Sequence, residues 1–249
     1  MNPLNNISIV LVEPQGPRNV GATARAMKNF GLHRLKIVGN GHLEHDECRE
    51  MGVGSHEILE SADLFSSLAD ALADQQVIIG TTARRRHRQQ THTPRDSSRE
   101  ILDWAQQGSA VSILFGREDF GLDKSALRRC QRVLSIPTSS ERTSINLSQA
   151  VLLTAYEIFG CSPEEPATAD SGAGTLVDER TWSQLRDEFL AAFSSTGYMH
   201  EGNRVAIEQS VARLLKLGPI QTRDARHLFG LSRSIRRICA TDDRDEAPK

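Results

Sequence analysis

Short apolar runs recur through the first 160 residues: Ile7–Val12 (ISIVLV), 35–38 (LKIV), 77–80 (VIIG), Val111–Phe115 (VSILF) and 133–136 (VLSI). They are rich in β-branched residues and lack polar alternation, the pattern of strands buried on both faces of a parallel sheet. Polar or glycine-bearing loops lead from them into helical stretches. Asn19 reads as the N-cap of a helix over 20–30, with Gly31 as its stop. Ser61 reads as the cap of a helix over 62–73, where Leu64, Leu68 and Leu72 recur every four residues. Residues 146–159 are apolar nearly all round, as in a buried helix, and Gly160 ends them. This alternation predicts an α/β layer fold with about five or more parallel strands.

The pattern changes after residue 160. Residues 161–175 (CSPEEPATADSGAGT) hold nothing that builds a core and read as a linker. Beyond it, 178–195, 202–217 and 222–239 read as three helices with no strand between them, and 240–249 as a loose tail. The organisation expected is a domain over 1–160, a linker over 161–175 and a helical extension over 176–249.

Composition adds limits. Apolar residues and glycine together make about 45% of the chain, ordinary for a globular protein. Apolar stretches reach only five or six residues, so no membrane segment is expected, and the N-terminus lacks the pattern of a secretory leader. Four well-separated cysteines without a C-x-x-C pair argue against a zinc site or disulfide framework, and for reduced thiols in a cytoplasm. The formal charge of −2 is an average. Residues 81–95 carry five arginines and no acid, and 201–237 carry eight basic and three acidic residues, leaving an acidic remainder. Two basic islands on an acidic body fit a polyanion partner such as nucleic acid, and equally fit solvated arginine faces. With aromatics at 5%, broad base-stacking platforms are not expected.

Ligands of open parallel sheets bind beyond the carboxyl ends of the strands. The loops there hold no G-x-G-x-x-G, no G-x-x-x-x-G-K-[ST], no G-x-S-x-G and no H-E-x-x-H, which disfavours dinucleotide, P-loop, hydrolase-elbow and zincin chemistry. His42 and His45 read as a surface loop. Three loops stand out. Residues 13–25 (EPQGPRNVGATAR) enter a helix, with Asn19 and Arg25 available to one cleft. Residues 115–122 (FGREDFGL) turn tightly after a buried strand, and Arg117 and Glu118 there read equally as site residues or as an ion pair. Residues 136–148 (IPTSSERTSINLS) feed the apolar helix through a hydroxyl-rich stretch.

In order, NVGATARAMKNFG, FGREDFGL and IPTSSERTSINLSQAV resemble the three motifs of the SpoU branch of the SPOUT RNA methyltransferases. The turn Thr81-Thr82-Ala83-Arg84 is similar to that of the TrmJ-like subgroup. The resemblance covers about residues 7–160. It implies an α/β fold whose parallel sheet carries helices on both faces and a C-terminal trefoil knot, here followed by a small all-helical extension. It also implies a cytoplasmic homodimer with each site near the interface, S-adenosylmethionine as cofactor, RNA (tRNA for the subgroup) as substrate, and no metal. Cofactor contacts map to Thr81, Thr82, Ala83, Gly116, Ile136, Thr143, Ser144 and Ile145. The family's catalytic positions map to Arg25, Asn19, Glu118, Ser144 and Asn146.

The reaction implied is methyl transfer to a ribose 2′-hydroxyl, in the subgroup that of the pyrimidine nucleotide opening the anticodon loop. Family accounts often make the arginine at position 25 the base. A guanidinium gives up its proton in about one molecule in 10⁵ at neutral pH. Fixing an RNA phosphate and stabilising the developing alkoxide is the easier role. Other readings are a SpoU-type enzyme for rRNA or another tRNA position, and an RNA-binding protein without catalysis.

The first basic island is expected to contribute RNA affinity through Arg84, Arg85, Arg86 and Arg88. Replacing all four by alanine should leave S-adenosylmethionine binding intact while RNA binding weakens and its salt dependence flattens. An unchanged salt slope would return these arginines to the solvated surface.

Overall fold

The computed structural model describes residues 2–83, 90–139, 141, 143–161, 176–215, 218 and 220–245, with side chains to Ala240. The chain divides into two compact units, residues 1–170 and 171–249.

The first unit alternates strands and helices: β1 (Ile7–Val12), α1 (Pro17–Asn29), β2 (Arg34–Val38), α2 (Asp46–Met51), α3 (His56–Glu60), β3 (Asp63–Phe65), α4 (Leu68–Leu72), β4 (Val77–Thr81), α5 (Pro94–Gln106), β5 (Val111–Phe115), α6 (Lys124–Arg129), β6 (Arg132–Leu134) and α7 (Leu147–Gly160). The six strands form one sheet in the order β3-β2-β1-β5-β4-β6, every pairing parallel. The apolar runs are interior, as double-sided burial requires: Ile7, Ile9, Val10, Leu11, Ile78, Ile79, Ile113 and Leu114 have no exposed surface.

One face packs Val10, Val38, Ile78, Leu114 and Val133 against Ala71 and Leu72 of α4 and Ala126 and Leu127 of α6. The pleat sends Ile9, Leu11, Ile79 and Ile113 to the other face. There α7 packs on α1 and α5, which bury Val20, Ala24 and Met27, and Ile101, Leu102 and Ala105.

The last strand is held on both edges. The Thr82 amide donates to the Leu134 carbonyl at 2.9 Å, the His92 amide to the Val133 carbonyl at 2.9 Å, and the Ser135 amide to the His92 carbonyl at 2.8 Å. Residues 133–135 therefore lie between the two ends of segment 83–91.

Four local expectations give way. The helix α1 begins at Pro17 with Gly16 as N-cap, because a proline in the first turn has no N–H to satisfy; Asn19 lies inside the helix, its side chain free for distant partners. The helix expected over 62–73 breaks into β3 and α4. Ser61 instead ends α3, Ser67 caps α4 by accepting from the Asp70 amide, and Leu64 is 57% exposed on an edge strand. Pairing of residues 63–65 with β2 supplies hydrogen bonds that four-residue spacing could not reveal. The helix α7 is not buried all round: Leu152, Leu153, Tyr156 and Phe159 are exposed.

The second unit holds α8 (Glu179–Ser195), α9 (Arg204–Leu214) and α10 (Thr222–Asp245). Trp182, Leu185, Ala192, Val211 and Ala225 form its interior. Because α10 runs to Asp245, the stretch expected as a loose tail is helical over 240–245.

In the first unit α1 is placed by contact at Gly21, where a Cβ would run into the Cys48 carbonyl of α2. Gly21→Ala should cost about 1–3 kcal/mol, the usual range for overpacking, as a lowered thermal midpoint. An unchanged midpoint would mean that α2 yields freely and does not fix α1.

Candidate active site

Parallel pairing brings the carboxyl ends of β1, β4, β5 and β6 to one edge of the sheet, so the loops that leave them meet. Those after β4, β5 and β6 enclose a cavity of about 200 Å³. All eight residues mapped as cofactor contacts line it: Thr81, Thr82, Ala83, Gly116, Ile136, Thr143, Ser144 and Ile145. Leu122, Leu134 and Leu147, nearly fully buried, make an apolar inner wall. The loop after β5 must turn at once, since the Gly121 amide donates to the Arg117 carbonyl at 2.8 Å. A Cβ on Gly116 would collide with the backbone of Gly121 and Leu122, so only glycine fits there.

Three catalytic candidates are joined directly. The Asn19 Nδ2 donates to Glu118 Oε1 at 2.7 Å, and the Gln15 amide donates to Glu118 Oε2 at 3.0 Å. The Asn146 Nδ2 donates to Asn19 Oδ1 at 2.9 Å. Asn146 also caps α7, its Oδ1 accepting from the Ser148 amide at 3.0 Å and the Ser148 hydroxyl at 2.7 Å. One amide thus ties the start of α7 to the first turn of α1, and Glu118 ties both to the loop after β5.

Arg117 and Glu118 do not pair with each other, contrary to one of the two readings above. The Arg117 guanidinium grips Asp119 with two bonds, at 3.1 and 3.0 Å, and reaches Glu13 at 3.3 Å. Glu118 is instead held by the backbone and side-chain donors just named. Hydrogen bonding to Asp119, reinforced by Glu13, raises the Arg117 pKa above its ordinary value, and Arg117 holds the Asp119 carboxyl below its own. The Gln15 Nε2 adds a bond to Asp119 Oδ2 at 3.1 Å. Glu13 takes a left-handed backbone conformation (φ 52°) as the chain leaves β1, a strained choice for a non-glycine residue. His42 Nε2 lies 3.1 Å from the Pro14 carbonyl and supports the same loop.

Arg25 stands apart. It is exposed on α1, makes no hydrogen bond or ion pair with any described residue and does not line the cavity, so Asn19 and Arg25 do not share its wall. Ser144 lines the cavity. Arg84, Arg85, Arg86 and Arg88 lie outside the described residues. Among the described residues no group of three or more His, Cys, Asp or Glu side chains could hold a metal.

Sequence reasoning passed over Glu13, Gln15, Asp119 and Phe120 as individual site residues. All lie inside the quoted loops. The acid two residues after Arg117 was a legible signal, but nothing local pointed to Gln15, whose partners are more than 100 residues away.

Comparison with known proteins places this geometry. The profile described as the SpoU rRNA Methylase family matches residues 6–156. The tRNA (cytidine/uridine-2′-O-)-methyltransferase TrmJ of Sodalis glossinidius is 31% identical over 236 residues, covering 93% of this chain and 92% of that one. The tRNA (cytidine-2′-O-)-methyltransferase TrmJ of Methanocaldococcus jannaschii is 36% identical over 157 residues, 61% of this chain and 67% of that one. The crystal structure of TrmJ from Z. mobilis superposes with a TM-score of 0.75 at 26% identity, covering 92% of this chain and 98% of that one.

Proposed function

The chain belongs to the SpoU rRNA Methylase family, and on that premise we propose that it is a TrmJ-type, S-adenosylmethionine-dependent tRNA 2′-O-ribose methyltransferase. Its acceptor is the pyrimidine nucleotide, cytidine or uridine, that opens the anticodon loop. The observation that carries this reading is the run of hydrogen bonds from Asn146 through Asn19 to Glu118, which lines a cavity walled also by every residue mapped to the cofactor. Likeness to tRNA 2′-O-methyltransferases over nine-tenths of the chain supports the substrate.

The cavity fits S-adenosylmethionine by its chemistry. Leu122, Leu134, Ile136, Ile145 and Leu147 offer an apolar wall to an adenine ring, with backbone groups at Thr81–Ala83 and Gly116 beside it. The charged side chains among the described lining are Glu118, Asp119 and Arg117, a net formal charge of −1. That sign suits a ligand of net charge +1 and is indifferent to the neutral product. When bound, the cofactor supplies a methyl group on a sulfonium that leaves as a neutral thioether.

The protein's task is then to align the ribose hydroxyl and ease loss of its proton. Ser144 and Asn146 orient the ribose from the loop that feeds α7. Asn19, held through Glu118, fixes the first turn of α1 beside them. Arg25, six residues on, sits about 9 Å further along the helix axis. That step also turns it about 120° round the axis from Asn19, so its guanidinium meets the RNA from its own exposed face of α1. With no acid partner among the described residues, its guanidinium is free to hold an RNA phosphate and to stabilise the alkoxide as the proton passes to solvent or phosphate.

The assembly is read as a cytoplasmic homodimer. The exposed Leu152, Leu153, Tyr156 and Phe159 form an apolar face of α7, extended by Phe30, whose ring lies 5.9 Å from Tyr156 and 5.8 Å from Phe159. The passage of residues 133–135 between the ends of segment 83–91 supports a knotted chain, and the second unit is read as an RNA-binding accessory.

Mapping 2′-O-methyl groups in total RNA from cells with and without the gene should show one anticodon-loop mark lost from tRNA. A lost mark in rRNA with all tRNAs unchanged would overturn the reading. In purified protein, Arg25→Ala should lower turnover by about 100-fold or more with cofactor affinity nearly unchanged, as expected of a group that meets the acceptor RNA and not the cofactor. Arg25→Lys should fail almost as badly, because an ammonium lacks the planar two-pronged contact. Where chemistry limits, a free-guanidine base requires a steady tenfold rise per unit past pH 9, whereas electrostatic positioning permits a plateau in that range. Near wild-type turnover in Arg25→Lys would dismiss both roles.

A further inference from the structure

Two aromatic side chains lie among the described lining of the cavity, and they differ sharply. Phe115, on β5, is 1% exposed and belongs to the core, whereas Phe120 is 67% exposed at the rim. A single exposed phenylalanine is ordinary on a protein surface. This one is not simply on the surface. It stands on the turn closed by the Gly121 amide and Arg117 carbonyl, two residues after Glu118, the carboxylate that holds Asn19. The Arg117 guanidinium lies over its ring, 5.6 Å from the centroid, and is itself immobilised by Asp119 and Glu13. The ring is therefore backed by a paired guanidinium close to Glu118 in sequence, and most of it remains open to solvent.

We propose that Phe120 is the platform on which the base of the acceptor nucleotide stacks while its ribose is presented for methylation. This rests on the reading of the chain as an RNA 2′-O-methyltransferase. A loop nucleotide that turns out to present its 2′-hydroxyl gives up its stacking neighbours, and unstacked bases are commonly received by an aromatic face. The inner wall of the cavity, Leu122 and Leu134, is buried and apolar and suits the adenine of the cofactor. Phe120, largely exposed in the same lining, is placed for a ligand that arrives from outside. A phenyl face carries no hydrogen-bonding code, so the platform would hold cytosine and uracil alike. It supplies affinity at the acceptor position, and the choice among nucleotides falls to other contacts.

The test is a double-mutant cycle between protein and RNA, in which the full-length enzyme methylates two anticodon stem-loop substrates. One carries the normal acceptor nucleotide, and the other an abasic ribose with its 2′-hydroxyl intact at that position. Wild-type enzyme should favour the normal substrate by about tenfold or more in kcat/KM, the size of one base–aromatic stack. Phe120→Ala should lose that preference, Phe120→Trp should restore it, and Phe120→Leu, which keeps apolar volume without a π face, should not. S-adenosylmethionine affinity, followed by calorimetry, should change less than twofold across the series. A Phe120→Leu enzyme as discriminating as wild type would overturn the proposal, and so would a loss confined to cofactor affinity, which would make Phe120 part of the cofactor wall. If wild type methylates while Phe120→Ala keeps the full preference, this inference alone fails. If wild type methylates neither tRNA nor stem-loop, the enzymatic reading fails with it.

Discussion

The site depends on how residues 133–135 are held. Their hydrogen bonds to Thr82 on one side and His92 on the other set β6 between those two points of the chain. That arrangement fixes where the chain emerges after Leu134. It places Ile136, Thr143, Ser144 and Ile145 opposite the turn at Gly116 and beside Thr81–Ala83, so the cavity has three walls rather than two. Backbone hydrogen bonds to a parallel sheet position these groups more rigidly than side-chain packing alone would. They also explain how a cavity forms at the strand ends without a glycine-rich fingerprint at a helix start. The cavity is walled by strand ends, loops and the first turn of α7, and none of its walls is a glycine-rich phosphate loop.

A second layer of order comes from polar side chains that cross between loops. Asn146 caps α7 and donates to Asn19; Asn19 donates to Glu118; Glu118 also accepts from the Gln15 backbone. Every member is partly exposed, so the network adds little to global stability. Its effect is on geometry, because it registers the first turn of α1 against the loops after β5 and β6. The neighbouring group of Arg117, Asp119, Glu13 and Gln15 does the same for the entry to α1. An exposed ion pair is worth little by itself, but a guanidinium shared between two acids and backing an aromatic ring removes rotamer freedom where precision matters. The strained backbone at Glu13 fits a loop fixed by its partners rather than by its own preference.

The same lever separates the two kinds of exposed apolar side chain in this unit. Leu152, Leu153, Tyr156 and Phe159 form a continuous stripe on α7 and fit a broad apolar partner. Phe120 is solitary, backed by a cation and surrounded by polar groups, and fits a small planar one. Exposure alone does not distinguish these cases; what lies within a few ångströms does.

Much of the fold was legible along the chain. Apolar runs without alternation announced buried parallel strands, and three motifs in order carried the family and the residues that line the cavity. These succeed because double-sided burial and tight turns leave marks within a few residues. What failed was local in appearance but decided at a distance: Leu64 kept a helical spacing yet joined an edge strand, because β2 offered it hydrogen bonds. Likewise Asn19 carried the mark of a helix cap, while its role comes from Glu118, 99 residues away, and Asn146, 127 residues away. The sequence by itself determined the strands, the glycine that the turn after β5 requires and the residue types at the cavity. Only the tertiary structure decided which of them meet, since contacts across about a hundred residues depend on strand order and the placing of β6, and no local periodicity encodes either.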